Sequence, residues 1–475
     1  MLDASLDYIQ TIRDRPVWRP IPEDVRAILE DASLPEGSRS LIDVCHDVLT
    51  YILPYPRGNT HPRYWGWVKN EGTVGGVLAD MITSAINPNS SGGFFHSGYL
   101  LERAVIDWMR QVFGFPKMKN GGLLVSGTSM ATIMSIATAR RRAIVNIREV
   151  GLANGPQLIA YASTEVHGCV IKALELLGLG SKALHLIPTD DNFRIKIDEL
   201  KVAIRDDRDK GLVPFCIIGN AGTVNTGAFD DLLELSSIAR AENIWLHVDG
   251  AFGSSIILDP QRRRLVAGID QADSLAFDFH KWFHCPYDAG CVLIRDNADL
   301  HLTFSMEQSI LAIVRKDLTN DALPFAQLSP ELSRSCRARK VWFTLQEHGT
   351  IKLGKKIADN CEQAQYLASL LGKYEYIIRI IRPITLNVVN FRFEPDALDK
   401  ADHELIDMFN TNLADDMQRS GIVYPSTSRI RNRLYIRVCI VSHRSTREDV
   451  DIFVETTMKL YQIRLGISQQ QDSKT

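Results

Sequence analysis

Residues 274–282 have the sequence Ser-Leu-Ala-Phe-Asp-Phe-His-Lys-Trp. The first four residues predict a short buried strand, because they form a mostly apolar run of strand length. Lys281 follows this strand among aromatic residues and a histidine. A lysine is usually a surface charge, but one in such surroundings is more typical of a functional amine. We expect the pKa of Lys281 to be depressed, because a reactive amine must at times be neutral.

Similar apolar runs recur through the middle of the chain and predict further buried strands. They span residues 158–161, 215–218, 244–248 and 290–294. Amphipathic helical patterns fit between several of them, for example at 230–241. Short apolar strands that alternate with helices predict an α/β fold with a mostly parallel sheet, covered by helices on both faces.

The chain divides into three predicted parts. Residues 1–70 form an N-terminal helical segment, because prolines break this stretch into short helices that lack a core of their own. Residues 71–338 form the large α/β domain. Residues 339–475 form a smaller α+β domain, with strands near 384–393 and 434–441. A chain of 475 residues is long enough for this division.

A carboxylate follows the predicted strand 244–248. Asp249 precedes Gly250 and Ala251, at the carboxyl end of the strand, where α/β sheets place their ligands. A buried carboxylate there could hold the proton on the ring nitrogen of pyridoxal 5′-phosphate (PLP), and the small residues would let a flat ring approach the backbone. The alternative is an aspartate that caps a turn.

The turn 126–129, with the sequence Ser-Gly-Thr-Ser, lies between an apolar run and a helical pattern. Its hydroxyls and free backbone N–H groups suit a phosphate. The alternative is an ordinary Ser/Thr helix cap. Because Lys281, Asp249 and this turn each follow a predicted strand, together they favour a PLP site in which Lys281 forms the Schiff base.

Composition and charge argue against other classes of function. The formal net charge is -3 and no basic cluster is longer than the three residues 262–264, so we predict no nucleic-acid partner. The 8 cysteines show no CxxC spacing, so we expect no metal site and interpret them as thiols of a reducing compartment. No stretch approaches the roughly 20 apolar residues of a membrane span, and the N-terminus has no signal-peptide pattern. We therefore expect a cytoplasmic protein without membrane contact.

The sequence resembles the group II PLP-dependent amino-acid decarboxylases, which include the aromatic-L-amino-acid, histidine and glutamate decarboxylases. The resemblance covers about residues 60 to 445 and is carried by motifs at 61–66, 78–81, 161–167, 222–223, 247–251, 280–282 and 332–334. It implies the fold-type I, aspartate aminotransferase-like architecture and decarboxylation of a small-molecule substrate, an L-amino acid. It also implies a homodimer with active sites at the subunit interface.

The resemblance implies a role for each matching position. Lys281 would form the Schiff base with PLP, Asp249 would pair with the pyridine nitrogen, and Ala251 would pack under the ring. His167 would stack on the other face and could act as an acid or a base. The remaining cofactor contacts would come from Thr128, Ser129, Thr223, Asp278 and His280.

Two positions depart from the family pattern. Asp278 stands where many relatives have asparagine, and a carboxylate near a phosphate is unfavourable unless it is protonated or turned away. Ile310 stands where family decarboxylases carry a loop tyrosine that protonates the carbanion left by CO2 loss, and isoleucine cannot donate a proton. Relatives with phenylalanine there consume O2 and release an aldehyde. Oxidative decarboxylation–deamination is therefore an alternative to simple decarboxylation.

The resemblance also indicates a substrate pocket, formed by Trp65, Trp67, Phe94, Phe95 and Ser333. Aromatic side chains suit a flat or apolar substrate, so we expect an aromatic L-amino acid. The alternative for two of the aromatic residues is a place in the core. Ser333 stands where relatives use glycine or serine, and serine favours phenolic or imidazole substrates over indoles.

Two further alternatives differ in activity. An aminotransferase would need a group that binds the α-carboxylate, and Arg437 in the predicted strand 435–438 could do so. A protein that binds PLP without catalysis is less consistent with the intact set of cofactor residues. The histidine expected to stack on PLP and the His-Lys-Trp motif favour the decarboxylases over both.

Overall fold

The computed structural model describes residues 1–31, 33–91, 96–118, 121–153, 155–306 and 323–472, with side chains as far as residue 466. The chain forms two compact units. The large unit comprises Gly72–Asp359, and the small unit comprises Met1–Glu71 together with Asn360–Thr475. The predicted boundary at 338/339 lies before this division, because the large unit extends to Asp359, within the helical segment Ala338–Gly372. The predicted N-terminal part belongs to the small unit.

Seven strands form the sheet of the large unit: β1 (Gly122–Val125), β2 (Leu158–Ser163), β3 (Leu184–Ile187), β4 (Val213–Asn220), β5 (Trp245–Asp249), β6 (Ser274–Asp278) and β7 (Gly290–Ile294). Their order is β1-β7-β6-β5-β4-β2-β3. Neighbours from β3 to β6 are parallel, whereas β7 is antiparallel to both β6 and β1. Because two antiparallel steps restore the direction, the carboxyl ends of β1, β4, β5 and β6 lie at the same end of the sheet. Sheets of this kind bind ligands there.

The described helices are α1 (Leu2–Gln10), α2 (Glu23–Glu30), α3 (Leu41–Asp47), α4 (Val74–Ile86), α5 (Ser97–Val112), α6 (Thr128–Ala143), α7 (Ile147–Val150), α8 (Gly168–Leu176), α9 (Ile197–Asp209), α10 (Leu232–Ala241), α11 (Asn297–Phe304), α12 (Ala338–Gly372), α13 (His403–Arg419) and α14 (Arg447–Asp472). Helix α12 is kinked at Gly349, which has a φ of 62° and a ψ of 164°. Helix α6 contributes Ala131, Met134 and Ala139 to a core shared with β1, β2, β4 and β7. This packing fixes the start of α6 relative to the strand ends.

The small unit contains an antiparallel sheet of β8 (Ile378–Ile380), β9 (Val388–Phe393), β10 (Ser426–Ile430) and β11 (Arg433–Cys439), in the order β10-β11-β9-β8. Apolar side chains of its central strands and helices form one core, which includes Phe391, Leu413 and Phe453. The smaller unit is therefore of the α+β kind.

The predicted α/β class with a mostly parallel sheet is confirmed. The predicted strands of the large unit correspond to β2, β4, β5, β6 and β7. Apolar patterning does not predict β3, β8 or β10. All three lie at an end of their sheet, where a strand need not be apolar on both faces, and β10 has the polar sequence Ser-Thr-Ser-Arg-Ile. No helix in the described ranges is long and apolar enough to span a membrane.

Candidate active site

Asp249 and Lys281 lie at the same end of the large sheet. Asp249 is the last residue of β5, and Lys281 follows β6 in the next turn. The parallel register pairs Asp249 with Ala276 on one side and with Asn220 on the other. Helix α6 begins just beyond β1, whose carboxyl end points the same way. The lysine, the aspartate and the turn 126–129 that were predicted to form one site thus meet at this end of the sheet.

Lys281 forms an ion pair with Asp278. The distance between Lys281 Nζ and Asp278 Oδ2 is 3.0 Å. Burial by itself disfavours the ammonium form, but attraction by Asp278 and Asp249 outweighs it and raises the pKa of Lys281. The expectation of a depressed pKa is therefore wrong for the protein without its cofactor. Asp278, three residues before Lys281, and Asp249, at the end of the neighbouring strand β5, therefore decide the charge of this amine.

Asp249 is a buried carboxylate. It is 5% exposed, and its Oδ1 accepts a hydrogen bond from the backbone N–H of Ala251 at 3.1 Å. Burial raises the pKa of Asp249, against the attraction of Lys281. A carboxylate in this situation gains from a cationic N–H partner, which is what the protonated ring nitrogen of PLP offers. The small residue Ala251 leaves space beside it.

The turn 126–129 has the properties of an anion site. Gly127, at the N-cap of α6, has no side chain to cap the helix, and the Thr128 hydroxyl is buried without a hydrogen-bond partner among the described residues. A Cβ at Gly290 would lie 2.4 Å from Gly127 Cα, so only glycine in β7 allows the turn to come this close. Ser129 is exposed in the first turn of α6. Unsatisfied donors at a helix start suit a phosphate.

His280 and Thr223 are held by local hydrogen bonds. The backbone N–H of Ala289 donates to His280 Nδ1 at 3.0 Å, and burial lowers the pKa of His280. The Thr223 hydroxyl lies 2.9 Å from the Thr226 hydroxyl and accepts the Ala228 N–H at 3.1 Å. Thr223 therefore orders its own turn after β4, and its assignment as a cofactor contact stays a prediction.

His167 is the N-cap of α8. Its Nδ1 accepts a hydrogen bond from the Cys169 N–H at 3.2 Å, so the neutral ring carries its proton on Nε2. Desolvation of the ring lowers the pKa of His167, against the attraction of Asp249. A neutral imidazole with an Nε2–H can stack on an aromatic ring and donate a hydrogen bond.

Asn220 is a site residue that patterning did not single out. It ends β4 directly beside Asp249 and is 3% exposed. Its side-chain NH2 donates to Ser163 Oγ at 3.1 Å and to Asp230 Oδ2 at 3.0 Å. Asp230 also accepts the Ile195 N–H at 2.7 Å. This network stiffens the strand ends beneath the site, and only its position at a strand end could have indicated Asn220.

The predicted substrate residues are distributed over both units. In the small unit, Trp65 is a core side chain, 1% exposed, and its Nε1–H donates to Ser445 Oγ at 3.1 Å. The alternative of a core aromatic therefore describes Trp65. Trp67 is 40% exposed in the same unit, and Ser333 is exposed in the large unit. Phe94 and Phe95 lie outside the described residues.

Arg437 lies in β11 of the small unit and is buried, with its Nε donating to Ser426 Oγ at 3.3 Å. Burial lowers the pKa of Arg437. Within the described part of the small unit, Arg437 is therefore a buried residue in the middle of a strand. It does not favour the aminotransferase alternative.

The site fits PLP at both ends of the cofactor. The partnerless Thr128 hydroxyl and the start of α6 suit its phosphate, and the buried carboxylate of Asp249 suits its ring nitrogen. Lys281 lies at the same end of the sheet as these two groups. The fold and this site define a PLP-dependent enzyme of fold type I.

Comparison with known proteins gives the family. A profile described as "Pyridoxal-dependent decarboxylase conserved domain" matches residues 22–394, and the chain belongs to this family. It is a PLP-dependent amino-acid decarboxylase.

Individual relatives are similar over nearly the whole chain. The chain is 31% identical to an aromatic-L-amino-acid decarboxylase of Bacillus atrophaeus over 94% of its own length and 91% of that protein. It is 27% identical to a phenylacetaldehyde synthase of Arabidopsis thaliana, covering 93% of this chain and 90% of that protein. Its fold matches the crystal structure of Oryza sativa TDC with PLP and tryptamine at a TM-score of 0.89, with 22% identity and coverage of 97% and 96%.

Proposed function

We propose that this chain decarboxylates an aromatic L-amino acid with PLP held on Lys281. The observation that carries the proposal is the position of Lys281 and the buried Asp249 at adjacent parallel strand ends. Asp278 connects Lys281 to the start of α6, which has the properties of an anion site. The relatives named above support the choice of an aromatic substrate.

The residues of the site have distinct proposed roles. When bound, PLP would supply an electron-withdrawing ring that delocalises the electron pair left on the α-carbon when CO2 departs. Asp249 keeps a proton on the ring nitrogen, and Ala251 leaves room for the ring. His167 packs on the opposite face with its Nε2–H available to the substrate. The phosphate is held by the Thr128 hydroxyl and the N–H groups at the start of α6.

The identity of the product depends on the proton donor. A loop tyrosine would return a proton to the carbon that lost CO2, and Ile310 cannot. Ile310 lies outside the described residues. A second candidate function is therefore oxidative decarboxylation, in which O2 is consumed and an aldehyde, ammonia and peroxide are formed. The similarity to a phenylacetaldehyde synthase favours this alternative.

We further propose a cytoplasmic homodimer with active sites at the subunit interface. Leu34, Leu41 and Ile42 in the N-terminal segment are 82%, 77% and 80% exposed, which is unusual for apolar side chains unless another surface covers them. The 8 cysteines are free thiols, in keeping with a reducing compartment. Light scattering on the purified protein measures the mass directly, and a monomer at micromolar concentration would contradict the dimer.

One assay tests the proposed function. The protein with PLP is incubated with a panel of L-amino acids, and CO2, amine, aldehyde and peroxide are followed. Amine with CO2 supports simple decarboxylation, and aldehyde with peroxide supports the oxidative branch. Keto acid without CO2, or the lack of a near-visible absorbance band after PLP is added, would contradict both.

A further inference from the structure

One buried carboxylate contacts two donors of the site, a backbone N–H and the Lys281 ammonium group. Asp278 is 2% exposed. Its Oδ1 accepts the backbone N–H of Thr128 at 2.7 Å, and its Oδ2 lies 3.0 Å from Lys281 Nζ. Asp278 therefore accepts the hydrogen bond of the first N–H of α6. A phosphate bound at this helix start would need the same N–H.

A phosphate and an ionised Asp278 compete for the same donor. The carboxylate and a phosphate dianion are both anions, and neither can donate a hydrogen bond to the other. Held around one N–H at contact distance, they repel each other in a site shielded from water. If Asp278 carries a proton, it donates to a phosphate oxygen, and the repulsion becomes a strong hydrogen bond.

We propose that Asp278 couples binding of the cofactor's phosphate to the uptake of one proton. Before the phosphate arrives, the carboxylate positions both the turn and Lys281. When the phosphate takes the Thr128 N–H, Asp278 is protonated. The inference rests on the proposed function, in which this turn binds the phosphate of PLP.

The neighbouring groups leave Asp278 as the acceptor of this proton. The charged or titratable groups that face it within the described residues are Lys281, His280, Asp249, His167, Cys169 and Cys291. Lys281 is already protonated. The Nδ1 atoms of His280 and His167 each accept a backbone N–H, so protonation of either ring would break that bond. Asp249 is turned to the ring nitrogen in the proposed function.

Calorimetry on the wild-type protein tests the coupling directly. The probe is 4′-deoxypyridoxine 5′-phosphate, which has no aldehyde and cannot bond to Lys281. Titrations in two buffers of different ionisation enthalpy, at about pH 8 where the free phosphate is a dianion, give the number of protons taken up. We expect about one proton for the phosphate probe and none for 4′-deoxypyridoxine. Binding of the phosphate probe without proton uptake would overturn the inference.

A variant assigns the proton to its residue. In the wild type, the Kd of the phosphate probe should rise about tenfold per pH unit between about pH 7 and 8.5, the slope for one linked proton. For Asp278→Asn, the Kd of the phosphate probe should be nearly independent of pH. At about pH 8 this variant should bind the probe about tenfold more tightly than the wild type. The matched control is Asp273→Asn, which removes a carboxylate paired with Arg142 at the other end of β6 and should keep the wild-type slope.

Equal slopes for the wild type and Asp278→Asn would refute the role of Asp278. The wild-type proton count decides the question if Asp278→Asn does not fold. Failure of the proposed function is distinguishable, because PLP itself would then give no near-visible absorbance band with the wild-type protein.

Discussion

Lys281 Nζ lies 3.0 Å from Asp278 Oδ2, and this ion pair favours the charged form of the amine. The aromatic neighbours alone indicate a depressed pKa, whereas the two nearby carboxylates raise it. The amine proposed to hold the cofactor is therefore favoured as an ammonium ion in the protein without PLP.

Replacement of Lys281 tests the anchor of the cofactor. Lys281→Ala removes the only proposed amine for PLP, so we expect the near-visible absorbance band to disappear and the decarboxylation rate to fall at least about a thousandfold. Absorbance spectra and CO2 release measure both effects. Exposed Lys182→Ala is the control and should behave as the wild type. A Lys281→Ala protein that retains the band would assign the anchor to another lysine.

Asp249→Asn tests the partner of the ring nitrogen. The amide cannot stabilise a positively charged N–H as a carboxylate does, so we expect kcat to fall about 10²- to 10⁴-fold with PLP still bound. Spectroscopic titration of PLP separates binding from turnover. Unchanged kcat in a folded, PLP-loaded variant would contradict the role of Asp249.

The stability of the protein without PLP should depend on Asp249 with a defined sign. Its pKa is raised in the folded state, so its contribution to stability is present at low pH and is lost as pH rises through the folded pKa. Asp249→Asn removes this penalty. We expect the PLP-free variant to melt at a higher temperature than the PLP-free wild type at about pH 8, and the two melting temperatures to converge near about pH 4. The opposite order at high pH would contradict the direction of the shift.

Ile310→Tyr tests the origin of the product. A tyrosine at this position restores a proton donor, so we expect the ratio of amine to aldehyde to rise. Product analysis by chromatography with peroxide detection measures the ratio. Ile310→Phe is the control, because it adds the ring without the hydroxyl. If both variants give the wild-type products at the wild-type rate, Ile310 is not at the tyrosine position.

A buried ion pair beneath the site should be important for stability. Arg334 and Glu102 are both 0% exposed at the side chain, 2.6 Å apart, and Glu102 also accepts the Leu124 N–H at 2.9 Å. Glu102→Gln removes the nearer of two counter-charges, since Glu331 Oε2 lies 3.6 Å from Arg334 Nε, so we expect a loss of up to about 3–5 kcal/mol in the free energy of unfolding. Denaturant unfolding measures this loss.

The control for that loss is an exposed pair in the same unit. Lys201 and Glu234 lie 2.9 Å apart and are about half exposed, so Glu234→Gln should change stability by less than about 1 kcal/mol. Similar losses in the free energy of unfolding for the two variants would mean that burial does not determine how much the Arg334–Glu102 pair contributes to stability.

The strands and the cofactor class could be predicted because their signals are local. Six strands of the large sheet, β1 included, have apolar runs, and Asp249, Lys281 and the turn 126–129 each lie at or just after the end of one of them. The edge strands β3 and β10 could not be predicted, since half-exposed strands need no apolar run. The sequence also could not decide whether Trp65 lies in a core or in a pocket, because an aromatic residue has the same local sequence pattern in both.

The sequence by itself determined the α/β alternation and predicted a Schiff-base lysine and an acidic partner for PLP, because each depends on residue type within a few positions. Only the tertiary structure decided that Asp278 would bind the Thr128 N–H, a contact between residues 150 positions apart. It also placed Asn220 beside Asp249 and gave Lys281 its charge. These relationships depend on strand order and on burial, which bring distant groups together in a medium where their charges act strongly.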